Sequence, residues 1–172
     1  MKRPPLPLVF VAVLVIALGE TAGAVMSQLR QQTDRYARAR VAANAADHGL
    51  TGSQEYDTEV TAAAVFAAEA GLSFLHTHAM ALPAIVLLAA TIVATAVPGR
   101  AARAALYVLL GAGSLFPLGY LVHAVAVLEA GRDAGVEMAE RWALTPLGSA
   151  AIVALVVLAA LLARRPRSTT AA

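Results

Sequence analysis

Four runs of this chain, at 5–26, 72–97, 104–128 and 145–163, carry one charged residue among them, Glu20. A hydrocarbon core about 30 Å thick takes about 20 helical residues to cross, and each run is close to that length or longer. A helix lying against water keeps charge on its outer face; these runs have almost none, so the bilayer is their solvent. Period-two alternation is missing, which excludes a strand barrel and leaves helices as the way to satisfy backbone groups in lipid. The sequence predicts an all-α fold, an integral membrane four-helix bundle in which residues 1–172 form a single membrane domain. An outer helical loop at 27–71 joins spans one and two.

Charge placement sets the orientation. Lys2 and Arg3, Arg100 and Arg103, and Arg164, Arg165 and Arg167 lie in three segments without a carboxylate. The other six basic residues and all eleven acidic ones fall on the opposite side or in that part of a span. By the positive-inside rule the protein is a multi-pass protein of the cytoplasmic membrane with both termini in the cytoplasm. The net charge of +2 is then a topology signal, and no nucleic-acid partner is implied. The first run, ending in Ala22-Gly23-Ala24, also fits a cleaved signal peptide. Its uninterrupted length and Glu20 favour a retained span, and the other three helices keep their orientation either way.

The loop at 27–71 reads as helix. A run from Arg35 ends at His48-Gly49, and Ser53 or Thr51 N-caps a second helix with Glu55, Asp57 and Glu59 in its first turns. This helix is expected to continue into span two and, with its neighbour, to cap the outer mouth. His48 is expected at a solvated helix end, and Glu69, Glu129, Asp133, Glu137 and Glu140 as solvated charges. Trp142 marks the outer boundary, Thr145-Pro146 opens span four as N-cap and first helical residue, and Gly111, Gly113 and Gly119 suit close helix packing.

Ionisable groups inside spans are costly and mark candidate sites. Here they are Glu20, His76, His78 and His123, which three helices bring to a similar depth, roughly 6–9 Å below the outer boundary at 1.5 Å per residue. His76 and His78 point about 200° apart on a regular helix, so joint ligation needs local unwinding, for which Pro83 is well placed. Glu69 and Met80 share a face with His76, and Tyr120 lies a turn before His123; these neighbours could orient an imidazole or act as weak ligands. Two imidazoles from neighbouring helices are what haem b requires, whereas His76, His78, His123 and Glu20 together suit a transition metal such as Cu, Zn or Fe. The plainer alternatives are a protonatable polar site without metal and histidines that bond a neighbouring helix.

With no Cys, thiolate chemistry, disulfides and iron–sulfur clusters are excluded. There is no Walker loop, dinucleotide-binding glycine pattern, nucleophile elbow or His-Glu-x-x-His.

The stretch Leu75-His76-Thr77-His78-Ala79-Met80-Ala81-Leu82-Pro83, with Phe116-Pro117-Leu118-Gly119-Tyr120-Leu121-Val122-His123, resembles small bacterial four-span membrane proteins. Its His-bearing helices are loosely similar to those of membrane b-type cytochromes. Multi-haem cytochromes carry two histidines per helix, one per leaflet, and this chain does not. The resemblance therefore implies at most one haem, near the outer face. Two functions follow as expectations. One is a His/Glu site binding haem b or a transition metal for electron transfer, metal handling or sensing. The other is a non-catalytic membrane subunit or scaffold whose outer loop binds a membrane or extracytoplasmic protein.

Overall fold

The computed structural model describes residues 3–164. Lys2, Arg165 and Arg167, which contribute to the orientation signal, lie outside the described residues. Seven α-helices follow in order: α1 Leu6–Gln28, α2 Arg30–Ala43, α3 Gln54–Ala96, α4 Arg100–Ser114, α5 Phe116–Ala130, α6 Arg132–Ala139 and α7 Thr145–Ala163. A π-helical turn, Glu140–Leu144, joins the last two. Four helical stretches, Leu6–Gln28, Gln54–Ala96, Arg100–Ala130 and Arg132–Ala163, are long and apolar enough to cross a membrane.

The expected second span is only the lower half of α3. At 1.5 Å per residue its 43 residues extend about 64 Å, twice a bilayer core. Its first turns therefore stand beyond the bundle, where α2 packs beside them. The expected N-cap position, Ser53, is correct, but its side chain makes no cap bond. Asp57 instead reaches back: Oδ1 accepts from the Thr51 N–H and Oδ2 from the Gly52 N–H, both at 2.8 Å. A carboxylate in the first turn thus satisfies the entering chain and also suits the helix dipole.

Proline has three different outcomes. Pro83 is fully buried inside α3, and the helix runs through it unbroken. Pro117 divides the third span, because its ring would strike the carbonyl four residues back; α4 ends at Ser114 and α5 restarts at Phe116. Pro146 was expected to open span four behind a Thr145 cap. Instead α6, the π turn and α7 form one continuous stretch, with the wider turn immediately ahead of the proline accommodating its ring and missing N–H. Gly135 lies within α6, where its lack of Cβ lets α6 pack on the backbone of α5 at Val127.

Two packed regions hold the bundle. One, remote from α2, joins Leu8 of α1, Val86, Ala90 and Val93 of α3, Leu106 and Leu110 of α4, and Ala154 and Leu158 of α7. The second lies under α2 and joins Ala37 and Val41 to Ala64, Val65 and Ala68 of α3 and to Ala124, Val127 and Leu128 of α5. Small residues set the helix spacing: Gly113 lies against Ala151, and Gly119 against Leu144, as the glycine-rich third span led one to expect. Arg3, Arg100 and Arg103 gather at the end opposite α2. Trp142 is exposed, with the Arg141 guanidinium 5.5 Å from its ring centre.

Candidate functional site

The intramembrane histidines were expected at one depth, but they face in different directions and His123 lies level with Gly71, away from His78. On α1, Gly19 and Gly23 are one turn apart and form a notch that receives α3. A Cβ at Gly19 would lie 2.3 Å from that of Ala79, and one at Gly23 would lie 2.7 Å from Nδ1 of His76. The His76 imidazole fills this notch and donates from Nδ1 to the Gly19 carbonyl at 2.9 Å. His78 donates from Nδ1 to the Phe74 carbonyl of its own helix, also at 2.9 Å. Its ring joins an aromatic group with Tyr120 and Phe116 at centroid distances of 5.0 and 5.6 Å. His123 lies over Gly71, its Cδ2 2.8 Å from where a Cβ would stand.

Gly71 and His78 are two turns apart on the α5 side of α3, about 10 Å along the axis, with the Phe74–Tyr120 contact between them. His76 faces α1. Glu20 is exposed although its neighbour Gly19 is buried, and Met80 is also exposed. Tyr120 accompanies His78 and not His123. Among the described residues no group of three or more His, Asp or Glu is placed to hold a metal ion. Two imidazoles that face different helices, or lie two turns apart, do not fit a haem clamped between α3 and α5.

A different arrangement converges at the α2 end. A cavity of about 490 Å³ opens between α2, α3 and α5, with Met26 of α1 at its side. Its walls are Leu72, Leu121, Val125 and Leu128, and the small side chains of Ala37, Ala68 and Ala124 leave the space open. Arg30, Thr33, Tyr36, Glu69 and Ser73 supply the polar edge. Leu121 and Val125 are 42% and 52% exposed, so the cavity opens sideways along an apolar helix face. Beside it lies a polar depression lined by Arg30, Gln31, Asp34, Arg35, Arg38 and Glu69 among others. Arg30, Val65 and Glu69 belong to both. Glu69, expected to be a solvated loop charge, therefore stands half-buried at a shared mouth.

Three side chains spaced four residues apart fasten the far end of α2. Arg40 forms an ion pair with Glu129, with Nε 2.8 Å from Oε1. Asn44 donates from Nδ2 to the Leu128 carbonyl and to Glu129, both at 3.1 Å, and His48 Nε2 donates to the same carbonyl at 3.1 Å. These donors meet the last turn of α5, where carbonyls have no partner in their own helix. His48 is thus not at a solvated helix end: it is 7% exposed and caps another helix. Glu129 holds Arg40 above its ordinary range, chiefly through their hydrogen bond, and Asp34 does the same for Arg38. Gly131, with φ of +84°, makes the tight turn from α5 into α6, beside the Asp47 carbonyl.

Sequence reasoning missed the Gly19-x-x-x-Gly23 notch, the Arg40/Asn44/His48 clasp and the cavity. The first two had legible signals: two glycines one turn apart in a span, and polar residues at four-residue spacing running off the end of a helix. The cavity had none, because it depends on which alanines of three helices face one another. No family model matches this chain, and neither the curated proteins nor the solved structures contain a match.

Proposed function

We propose that this protein binds a lipid at the membrane surface, holding one acyl chain in the cavity between α2, α3 and α5 and its head group at the arginine-lined mouth. The observation that carries this reading is the continuity of an apolar cavity, open sideways where a bilayer would stand, with a depression bearing Arg30, Arg35 and Arg38. Its volume lies within the roughly 300–1,000 Å³ of small-molecule sites. A chain moving from bilayer to cavity gains no hydrophobic free energy, since lipid tails are as apolar as leucine. Selection therefore falls to the polar mouth. Charge placement favours an orientation with this end outside the cytoplasmic membrane, and the proposed source is then the outer leaflet.

The test is native mass spectrometry of the full chain released from membranes. The wild type is expected to retain about one lipid per chain. Val125→Trp places an indole in the cavity from a position that is already exposed, so it should empty the site while leaving helix content and melting temperature unchanged. Lipid retained equally by the variant would refute the reading.

A cofactor reading has one observation in its favour. The Gly19 carbonyl takes Nδ1–H of His76 and the Phe74 carbonyl that of His78, so neither bond occupies Nε2, the nitrogen a metal or haem iron would use. An optical spectrum and elemental analysis decide it. A Soret band, or stoichiometric Cu, Zn or Fe, that disappears in His76→Ala or His78→Ala would displace the lipid reading.

A further inference from the structure

The charges around the mouth specify a head group, an inference that rests on the lipid-binding reading above. Five ionisable residues line the polar depression: Arg30, Asp34, Arg35 and Arg38 from α2, and Glu69 from α3. Two of them neutralise each other. Arg38 Nε lies 3.1 and 3.0 Å from the two carboxylate oxygens of Asp34, one turn away on the same helix. Arg30, Arg35 and Glu69 remain, and the described residues offer none of them an ion-pair partner within 4.0 Å. Glu69 raises the Arg38 guanidinium only through space, and Asp34 dominates that effect.

A lone carboxylate facing two unpaired guanidiniums across an opening is poorly matched to a simple anion. A fatty acid or phosphatidylglycerol would satisfy the arginines while placing its negative charge near Glu69, which costs Coulomb energy in a half-buried setting. A head group with one charge of each sign matches the arrangement. The phosphodiester suits Arg30 and Arg35, because guanidinium forks bind phosphate oxygens in pairs. A primary ammonium suits Glu69, because it brings three N–H donors to a carboxylate. Choline keeps the charge and has no N–H to donate.

We propose that the site selects an aminophospholipid of the phosphatidylethanolamine type: its phosphodiester lies between Arg30 and Arg35, its ammonium on Glu69, and one acyl chain against Leu72, Leu121 and Val125.

The experiment presents the detergent-purified full chain with equimolar phosphatidylethanolamine, phosphatidylcholine and phosphatidylglycerol of identical acyl chains, and reads retained lipid by native mass spectrometry. The wild type should retain phosphatidylethanolamine over each competitor by roughly fivefold or more, the scale of a charge-assisted contact partly open to solvent. Glu69→Gln should abolish the preference over phosphatidylglycerol while lipid is still bound, and Arg30→Gln should weaken all three. Equal retention of the three by the wild type, or an unchanged preference in Glu69→Gln, would overturn the head-group assignment and leave the lipid reading standing. Lipid-free wild type, or undiminished binding in Val125→Trp, would remove the lipid reading itself. Soluble phosphoethanolamine that displaces lipid at equal concentration would show that the mouth takes the head group alone, and would overturn the proposal too.

Discussion

At residue scale, the α1–α3 contact depends on two missing methyl groups. Gly19 and Gly23 let Ala79 and the His76 ring approach the α1 backbone, and the carbonyl of Gly19 becomes the acceptor for the imidazole. In lipid this close approach is the main attraction between helices, since the apolar surfaces themselves gain nothing by meeting. Gly19→Val should therefore cost roughly 1–3 kcal/mol, the usual scale of an overpacked core, and lower the melting temperature of the detergent-solubilised protein. Gly111→Ala is the control, since its new methyl would meet Leu8 at an ordinary 3.7 Å and should leave the melting temperature unchanged. The same contact shows what the residue pattern can and cannot say about the histidines. Position along a span gives depth at 1.5 Å per residue only from a known span end, and the common depth expected on that basis fails for His123, which lies level with Gly71 and about 10 Å along α3 from His78. Direction around the axis needs the partner helix to be known, and here His76 turns to α1, His78 to the aromatic group and His123 to Gly71.

At the scale of elements, α2 is the helix whose placement matters most, because it roofs the cavity and contributes the arginines of the mouth. Its helical character was legible from composition, but its seat was not. That seat depends on Ala37 and Val41 reaching α3 and α5, and on side chains that serve another helix's carbonyls. Two donors converge on the Leu128 carbonyl, so losing either leaves the other in place. His48→Ala alone should cost about 1 kcal/mol, the ordinary net value of a hydrogen bond. Combined with Asn44→Ala, the loss should exceed the sum of the single changes, because the acceptor is then left without a partner. Hydrogen exchange across 44–52 is the measurement, with exchange faster in the double variant than additivity allows. Strictly additive exchange would show that water replaces the two donors at no cost. The helical extensions ahead of spans two and four were missed for a related reason. Hydropathy marks where lipid begins, not where a helix stops, so α3 starts at Gln54 and the helical stretch that ends in α7 starts at Arg132, both well before their apolar runs. Pro146 looked like a helix start because a π turn, which lets the helix continue past it, leaves no recognisable residue pattern.

At the scale of the whole molecule, the four crossings place Arg3, Arg100, Arg103 and Arg164 at one end and α2, the cavity and the clasp at the other. The two ends differ in how their charge is matched. At the α2 end, carboxylates accompany the arginines, as in the Arg38–Asp34 and Arg40–Glu129 pairs. The opposite end has basic residues and no acid in its segments. Lys and Arg in short segments near span ends tend to be retained on the cytoplasmic side, so the opposite end should stay in the cytoplasm and the cavity should face out. A reporter inserted at Gly52 tests this directly. That residue has φ of +87° and open space where a side chain would stand, so the turn can take an insertion without disturbing α3. The Gly52 reporter should read as exported, and one fused after Arg167 as cytoplasmic. The reverse pattern would place the cavity at the cytoplasmic leaflet. The chemistry of its mouth would be unchanged, but the proposed lipid would come from the other half of the bilayer.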